Sequence, residues 1–321
     1  MTDQKVIAVV GSTGQQGGGL ARAILDDPAG GFKLRALTRN PGSEAAKALA
    51  DRGADIVTAD LDDQASLERA FDGAYGVYGV TNFWELFSVE REQAQAANIA
   101  RASVEAKVHH VIWSTLEDTR LHIPLDDERM PTLMGSYKVP HYDGKGEADR
   151  FFAEAGAPTT YLAPSFYWET LFDMVQRGED GVLAITLPMG NARLPGIAAK
   201  DIGLTAYRIF GRGDEFIGSR IGIAGEHLRV AEMAAILSGV LGEEVRYVNV
   251  PPSVFRTFGF PGADDVGNMF QFKHDFEDAY VGARDITLAR SINPDLSTFE
   301  DWAVANKDRF KIRVVAELAT V

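Results

Sequence analysis

The apolar positions in the first half of the chain come in short runs broken by glycine, proline and charge. Residues 6–10 are all apolar and the run stops at Gly11. With no polar alternation, it predicts a strand buried on both faces. From Leu20 the period changes, and Leu20, Ala21, Ile24 and Leu25 share one helical stripe. Residues 32–38 predict a second strand, 45–49 a helix, 54–59 a third strand, 64–71 a short helix and 74–80 a fourth strand. A long helix is expected over 86–106, packing through Leu86, Val89, Ala96, Ala97, Ala100 and Val104, and a fifth strand over 108–113. Strands and helices alternating at this spacing predict an α/β fold with a doubly wound parallel sheet and right-handed crossovers.

Residues 116–140 depart from this pattern, with many charges, little periodicity and three prolines, Pro124, Pro131 and Pro140. A loop of that length in a compact domain is functional or mobile. It is read here as a lid-like insertion, with a plain surface excursion as the alternative. Helical period resumes near Gly144 and runs to Ala155, with Asp143 as N-cap and Gly156 as the stop. A sixth strand over 159–163 ends at Pro164-Ser165-Phe166-Tyr167. Beyond it, helices are expected over 201–210, 229–241, 251–258 and 264–274, and strands over 220–224 and 244–250. Ser297 and Glu300 have capping-box spacing for a last helix.

The first strand, a turn with Gly11, Gly14 and Gly17, and the helix after it form a unit with chemical meaning. Free backbone N–H groups and the positive helix end meet where a pyrophosphate can sit. Gly11 permits the tight turn, Gly14 lets backbone approach the phosphates, and Gly17 lets helix and strand pack closely. The spacing is G-x-x-G-x-x-G rather than G-x-G-x-x-G. The chain therefore divides into a Rossmann-type NAD(P)-binding domain, 1–165, and a smaller mixed α/β substrate domain, 166–321, part of which is expected to pack back on the first. Arg39 ends the second strand, 22 residues past Gly17. No acid lies between Leu34 and Pro41 to bind a ribose 2′-hydroxyl, and an Arg there suits a 2′-phosphate. NADP(H) is favoured and NAD(H) remains open; a solvated turn arginine is the other reading. Asp60, ending the third strand, faces the adenine or caps the next helix.

Composition narrows the functions. The 321 residues suffice for a large core, and 45% hydrophobic with 24% charged residues is ordinary for a globular chain. With no cysteine, disulfides, thiolate metal sites and cysteine nucleophiles are excluded, and no metal is expected. The net charge of −14, with basic residues scattered, opposes direct nucleic-acid binding. No apolar run approaches membrane-spanning length and the N-terminus leads straight into the first strand, so the expectation is a cytoplasmic protein without a signal peptide or membrane contact.

Several peptides resemble the NmrA-like family of atypical short-chain dehydrogenases/reductases, and within it the HSCARG-type NADPH-sensor branch. They are Gly11-Ser12-Thr13-Gly14-Gln15-Gln16-Gly17, Thr38-Arg39-Asn40-Pro41, Val80-Thr81-Asn82-Phe83-Trp84-Glu85, His141-Tyr142-Asp143-Gly144-Lys145, Gly259-Phe260-Pro261-Gly262 and Asn268-Met269-Phe270. The resemblance implies that Thr13 and Gln16 bond the pyrophosphate and Arg39 the 2′-phosphate. Thr81, Asn82 and Phe83 would line the cofactor groove, Lys145 would hold the nicotinamide ribose, and Ser165 and Phe166 would flank the nicotinamide. Active short-chain dehydrogenases carry Tyr-x-x-x-Lys. Here His141 stands four before Lys145, so His141 is the candidate proton donor if the helix starts early enough. Tyr137 and Tyr142 are nearby substitutes, and Ser114 is the candidate carbonyl-polarising hydroxyl.

The chain also departs from the sensor branch. Gly42-Ser43-Glu44 replaces a more basic stretch, the 116–140 segment is longer, and residues 313–321 form an extra tail. Trp84, Tyr142, Tyr167 and Trp168, with Phe83, Phe166 and Phe172, are candidates for an aromatic substrate wall. Two functions follow: an NAD(P)H-dependent reductase of a quinone or an aromatic or enone carbonyl, or a non-catalytic redox sensor acting on a regulatory protein partner. Either would be a monomer or homodimer.

Overall fold

The computed structural model describes residues 4–310, so the expected tail at 313–321 lies outside the described residues. The chain begins with β1 (Lys5–Val9), α1 (Gln15–Asp26), β2 (Phe32–Thr38), α2 (Glu44–Asp51), β3 (Asp55–Thr58), α3 (Gln64–Phe71) and β4 (Gly76–Gly79). It continues with α4 (Val89–Glu105), β5 (His110–Ser114), α5 (Pro140–Ala155), β6 (Thr159–Ala163), β7 (Phe166–Tyr167), α6 (Leu171–Met174), β8 (Val175–Arg177), β9 (Leu183–Leu187) and β10 (Arg193–Ile197). Next come α7 (Ala199–Gly211), β11 (Arg220–Gly222), β12 (Glu226–Arg229), α8 (Val230–Leu241) and β13 (Val245–Asn249). Helices α9 (Pro252–Phe255), α10 (Ala263–Asp275), α11 (Glu277–Gly282), α12 (Ile286–Ile292) and α13 (Phe299–Ala305) close the described chain.

Seven strands form one parallel sheet in the order β11-β6-β5-β4-β1-β2-β3. The order reverses at β1, whose neighbours are β2 and β4, and this opens a crevice at the carboxyl ends of the strands. The buried strands explain the unbroken apolar runs. Ile7, Val9, Ala36, Tyr78 and Ile112 pack on one face with α1 and α7, while Ala8, Val10, Val77 and Val111 pack on the other with α3, α4 and α5. The C-terminal half thus supplies α7 and β11 to the first sheet. Helices α1 and α7 meet backbone to backbone, because a Cβ on Gly203 would overlap the Leu20 amide nitrogen. Two small sheets, β12-β10-β7 and β13-β9-β8, enclose a separate core that contains Trp168, Phe270, Phe299 and Trp302. No helix among the described residues is long and apolar enough to cross a membrane.

Several element boundaries differ from the expectations. Helix α1 begins at Gln15, not Leu20, so Gly17 and its neighbours lie inside it. Helix α4 begins at Val89, where the Ser88 hydroxyl accepts the Arg91 amide. Leu86 and Val104, expected on its packed face, are exposed. Helix α5 begins at Pro140, whose fixed φ suits the first helical position. Asp143 is therefore not the N-cap. It sits in the first turn, where its carboxylate accepts the Lys138 and Val139 amides at 2.8 and 3.0 Å and the Thr119 amide at 2.8 Å. The last helix is capped by Thr298 rather than Ser297.

Residues 116–140 are stitched to the body of the protein. Ile123, Met130 and Val139 join the second core, and the buried Lys138 ammonium donates to the Asp127 and Met130 carbonyls. From α10, the Asn268 amide donates to the Pro131 and Lys138 carbonyls, and Gln271 to that of Arg129.

Candidate functional site

The crevice at the sheet's carboxyl edge is a cavity of about 930 Å³, near the upper end of the range for small-molecule sites. Its near end is the glycine turn. Gly11 has φ +64°, open to glycine at little cost, and a Cβ on Gly17 would stand 2.5 Å from the Gly11 carbonyl oxygen. The first intrahelical bond of α1 is Gly18 N–H to Gly14 O at 3.0 Å. The amides of Gln15, Gln16 and Gly17 therefore have no acceptor within the helix and carry its positive end into the cavity. No acidic side chain opposes them in the first turn.

Gly11, Thr13, Gly14, Gln16, Gly17, Arg39, Asp60, Thr81, Asn82, Phe83, Lys145, Ser165 and Phe166 all border this cavity. Their bonding qualifies the roles expected for them. The Gln16 side chain accepts from Tyr78 OH at 2.5 Å and Ser114 Oγ at 2.8 Å, and its amide donates to Tyr167 OH, so it forms the cavity floor. Ser114 lies behind it, 1% exposed and outside the lining. The carbonyl-polarising role expected of Ser114 would require its hydroxyl, which here donates to Gln16, to change partner. Arg39 is half open to solvent and paired with Glu85 at 2.6 Å. Asp60 does not cap α3, which starts after Asp63, and instead accepts the Asp62 amide.

Early initiation of α5 puts His141 and Lys145 one turn apart on the same helix face. The Lys145 ammonium donates to Thr81 O at 3.1 Å and Thr81 Oγ1 at 2.7 Å, and pairs with Glu92 at 2.9 Å. His141 Nδ1 is 2.7 Å from Asp265 Oδ1, and the His141 amide donates to the same carboxylate. The imidazole packs under Trp84, with ring centres 4.7 Å apart. Asp265 thereby fixes the ring and leaves Nε2 on the other side.

The far end is walled by Tyr142, Phe166, Met269 and Phe270. Ser165 Oγ is buried there without a hydrogen-bond partner among the described residues. Lys273, 1% exposed, borders the same end. Its Nζ lies 5.2–5.9 Å from the ring centres of Tyr142, Phe166, Phe270 and Tyr280. Burial brings its pKa down to about 7; the Arg284 charge acts the same way and Glu117 opposes. Arg284 is fully buried, with its guanidinium on Glu117 at 2.7 and 3.1 Å and over the Tyr280 ring. Burial raises the Glu117 carboxyl, but the charge and hydrogen bonds of Arg284 outweigh it and leave it lowered.

Of the expected substrate residues, Trp84, Tyr142 and Tyr167 border the cavity and Trp168 does not. Strand β7 is two residues long, and the turn after it sends the fully buried Trp168 into the second core against Phe299 and Trp302. Phe172 stacks on Trp302 there as well. Of residues 116–140, only Leu116 borders the cavity. Glu92, Asp265 and Lys273 escaped sequence reasoning. All three sit among ordinary helical charges, and the available signal is the spacing that puts Lys273 three residues after Phe270, on the buried side of α10.

The NmrA-like family model matches residues 3–303. A fungal relative, the NmrA-like family domain-containing oxidoreductase FrzB of Cladobotryum sp., is 28% identical over 292 residues, covering 83% of each chain. Among solved structures, the negative transcriptional regulator NmrA in complex with NADP superposes with TM-score 0.76 at 20% identity, covering 94% of this chain and 95% of that one. The NADPH-dependent quinone oxidoreductase QOR2 of Escherichia coli, complexed with NADPH, gives TM-score 0.69 at 21% identity, covering 94% and 99%.

Proposed function

The chain belongs to the NmrA-like family, and from that premise we propose that it is an NAD(P)H-dependent oxidoreductase reducing a quinone or an aromatic or enone carbonyl. One observation carries the reading. A single cavity joins a phosphate-suited glycine turn to an aromatic end where Ser165 Oγ and Lys273 Nζ lack protein partners among the described residues. Buried polar groups are normally satisfied, and because Ser165 Oγ borders the cavity, a ligand there would supply its missing partner. The names of FrzB as an oxidoreductase and QOR2 as a quinone oxidoreductase, and the NADPH bound to the latter, agree with this reading.

The residues fit a nicotinamide dinucleotide, which when bound supplies hydride. The amides of Gln15, Gln16 and Gly17 take the pyrophosphate. Arg39 takes a 2′-phosphate by exchanging Glu85 for it, which favours NADP(H) and leaves NAD(H) open. Lys145 reaches the nicotinamide ribose by giving up one of its bonds to Thr81, while Glu92 keeps the ammonium in place. Ser165 donates to the carboxamide end. His141 is held by Asp265 beneath the half-exposed Trp84. The test is oxidation of NADPH and NADH in the presence of quinones and aromatic enones, with Lys145→Ala as control. Saturable turnover lost in the control supports the proposal, and tight NADPH binding without turnover of any acceptor counts against it.

A second reading, an NADP(H) sensor acting on a regulatory protein, is favoured by the histidine at position 141 and by the internal bonding of Lys145. It requires different affinities for the oxidised and reduced cofactor, since equal affinity shifts no equilibrium. Titration with both forms tests it.

A further inference from the structure

We propose that Lys273 receives the reducible oxygen of the substrate and delivers its proton. The inference rests on the reductase reading for the proton and on geometry for the oxygen.

Lys273 lies on the inner side of α10, bordering the cavity. Four aromatic rings surround its Nζ, and no hydrogen-bond or ion-pair partner exists for it among the described residues. An ammonium taken out of water without a partner is costly. The rings offset part of that through their faces, and an oxygen ligand from the cavity would offset the rest. The groups facing it are Tyr142 from α5, Tyr280 from α11, and the Arg284–Glu117 pair behind. The tyrosine hydroxyls are 3.3 Å apart. Burial pushes Tyr142 well above its ordinary value and Tyr280 up to about 12, so both stay neutral and hold their protons.

Of the alternative donors, Ser165 is given to the carboxamide end in the proposed function, and two others are already bonded. Ser114 is bonded to Gln16, and Lys145 to Thr81 and Glu92. Lys273 is about half protonated near pH 7 and parts with that proton readily, the condition a general acid needs. As the substrate carbon accepts hydride from the reduced dinucleotide, the carbonyl π pair moves to oxygen. One Nζ–H bond of Lys273 then breaks, an O–H bond forms, and the neutral amine later regains a proton from water. The substrate this end suits is a flat conjugated ring whose oxygen points at Lys273 while the ring lies along Phe166 and Phe270.

The experiment reads binding as well as turnover. Calorimetry with 2-naphthoate, a flat ring carrying anionic oxygen, is run on the wild type, Lys273→Met and Lys273→Arg from pH 6 to 9. NADPH affinity serves as the check that each variant is folded. The wild type should bind naphthoate, losing about tenfold in affinity per pH unit above 7 as the ammonium deprotonates. Lys273→Met should lose at least about tenfold at pH 6 and show no such slope, and Lys273→Arg should retain binding without the slope. With a quinone that the wild type reduces, kcat should fall about 10²–10⁴-fold in Lys273→Met. No naphthoate binding by the wild type, or binding by Lys273→Met equal to it at pH 6, overturns the oxygen site. Lys273-dependent binding without reduction of any quinone would overturn proton delivery and the reductase reading together, leaving the oxygen site standing.

Discussion

At one end of the cavity the contacts come from backbone amides within a single stretch, residues 11–17. At the other they come from side chains that the fold gathers from α5, β7 and α10; His141 and Asp265, which meet at 2.7 Å, are 124 positions apart. The first end depends on backbone geometry: Gly11 sits at positive φ, and a Cβ on Gly17 would meet the Gly11 carbonyl. The second tolerates backbone adjustment but depends on a balance of buried charge. Recognition of the common part of a cofactor is thus covalently local, and recognition of a substrate is assembled.

Mutations that act on one end and spare the other test this contrast. The largest effect is expected from Glu117→Gln, which leaves the Arg284 guanidinium buried and uncompensated at a cost of about 3–5 kcal/mol. Urea unfolding should show this loss, while NADPH affinity of the folded protein stays near wild type. A cost below about 1 kcal/mol would mean that this pair does not hold the assembled end together.

The next concerns pH. Lys273 has its pKa lowered to about 7 in the fold from an ordinary 10.5, so between those values the unfolded chain binds more protons and stability rises with pH. The contribution is full above 10.5, shrinks as pH falls and is gone below about 7. Lys273→Met removes the buried charge, so its stability advantage over the wild type should shrink by about 3 kcal/mol between pH 6 and pH 9 and vanish only near pH 10.5. Equal pH slopes for the two proteins in urea midpoints would deny the buried ammonium.

At the local end, Gly17→Ala forces a Cβ to within 2.5 Å of the Gly11 carbonyl oxygen and should cost about 1–3 kcal/mol. The loss should appear mainly as weaker NADPH binding, with naphthoate binding to the apoprotein retained. The smallest effect is expected from Glu85→Gln. Releasing an exposed partner from Arg39 is worth about 0.2–1 kcal/mol, so NADPH should bind up to about fivefold more tightly and NADH unchanged. Equal gains for both cofactors would remove Arg39 from the 2′-phosphate.

The same contrast explains what was legible in the sequence. Strands β2 and β6 and helix α3 fall at the expected residues, because apolar positions recur in each at the period of its element and glycine, proline or acid stands before it. The glycine turn announces itself within one short peptide. The apolar period of helix α5 is visible only from Gly144, four residues after its start at Pro140, the first helical residue. In the sequence Trp168 and its neighbour Tyr167 have the same aromatic character, yet the short β7 turns one ring to the cavity and the other to the core. Glu92, Asp265 and Lys273 gave no local sign, since each acquires its meaning from a partner or cavity that only the folded chain provides.

The most direct measurement is the absorbance of NADPH mixed with the protein and a panel of quinones and aromatic enones, repeated with Lys273→Met. The proposed function predicts saturable NADPH oxidation with at least one acceptor, reduced about 10²-fold or more in the variant while NADPH still binds. Tight NADPH binding with no acceptor reduced by the wild type would contradict it and leave the sensor reading in its place.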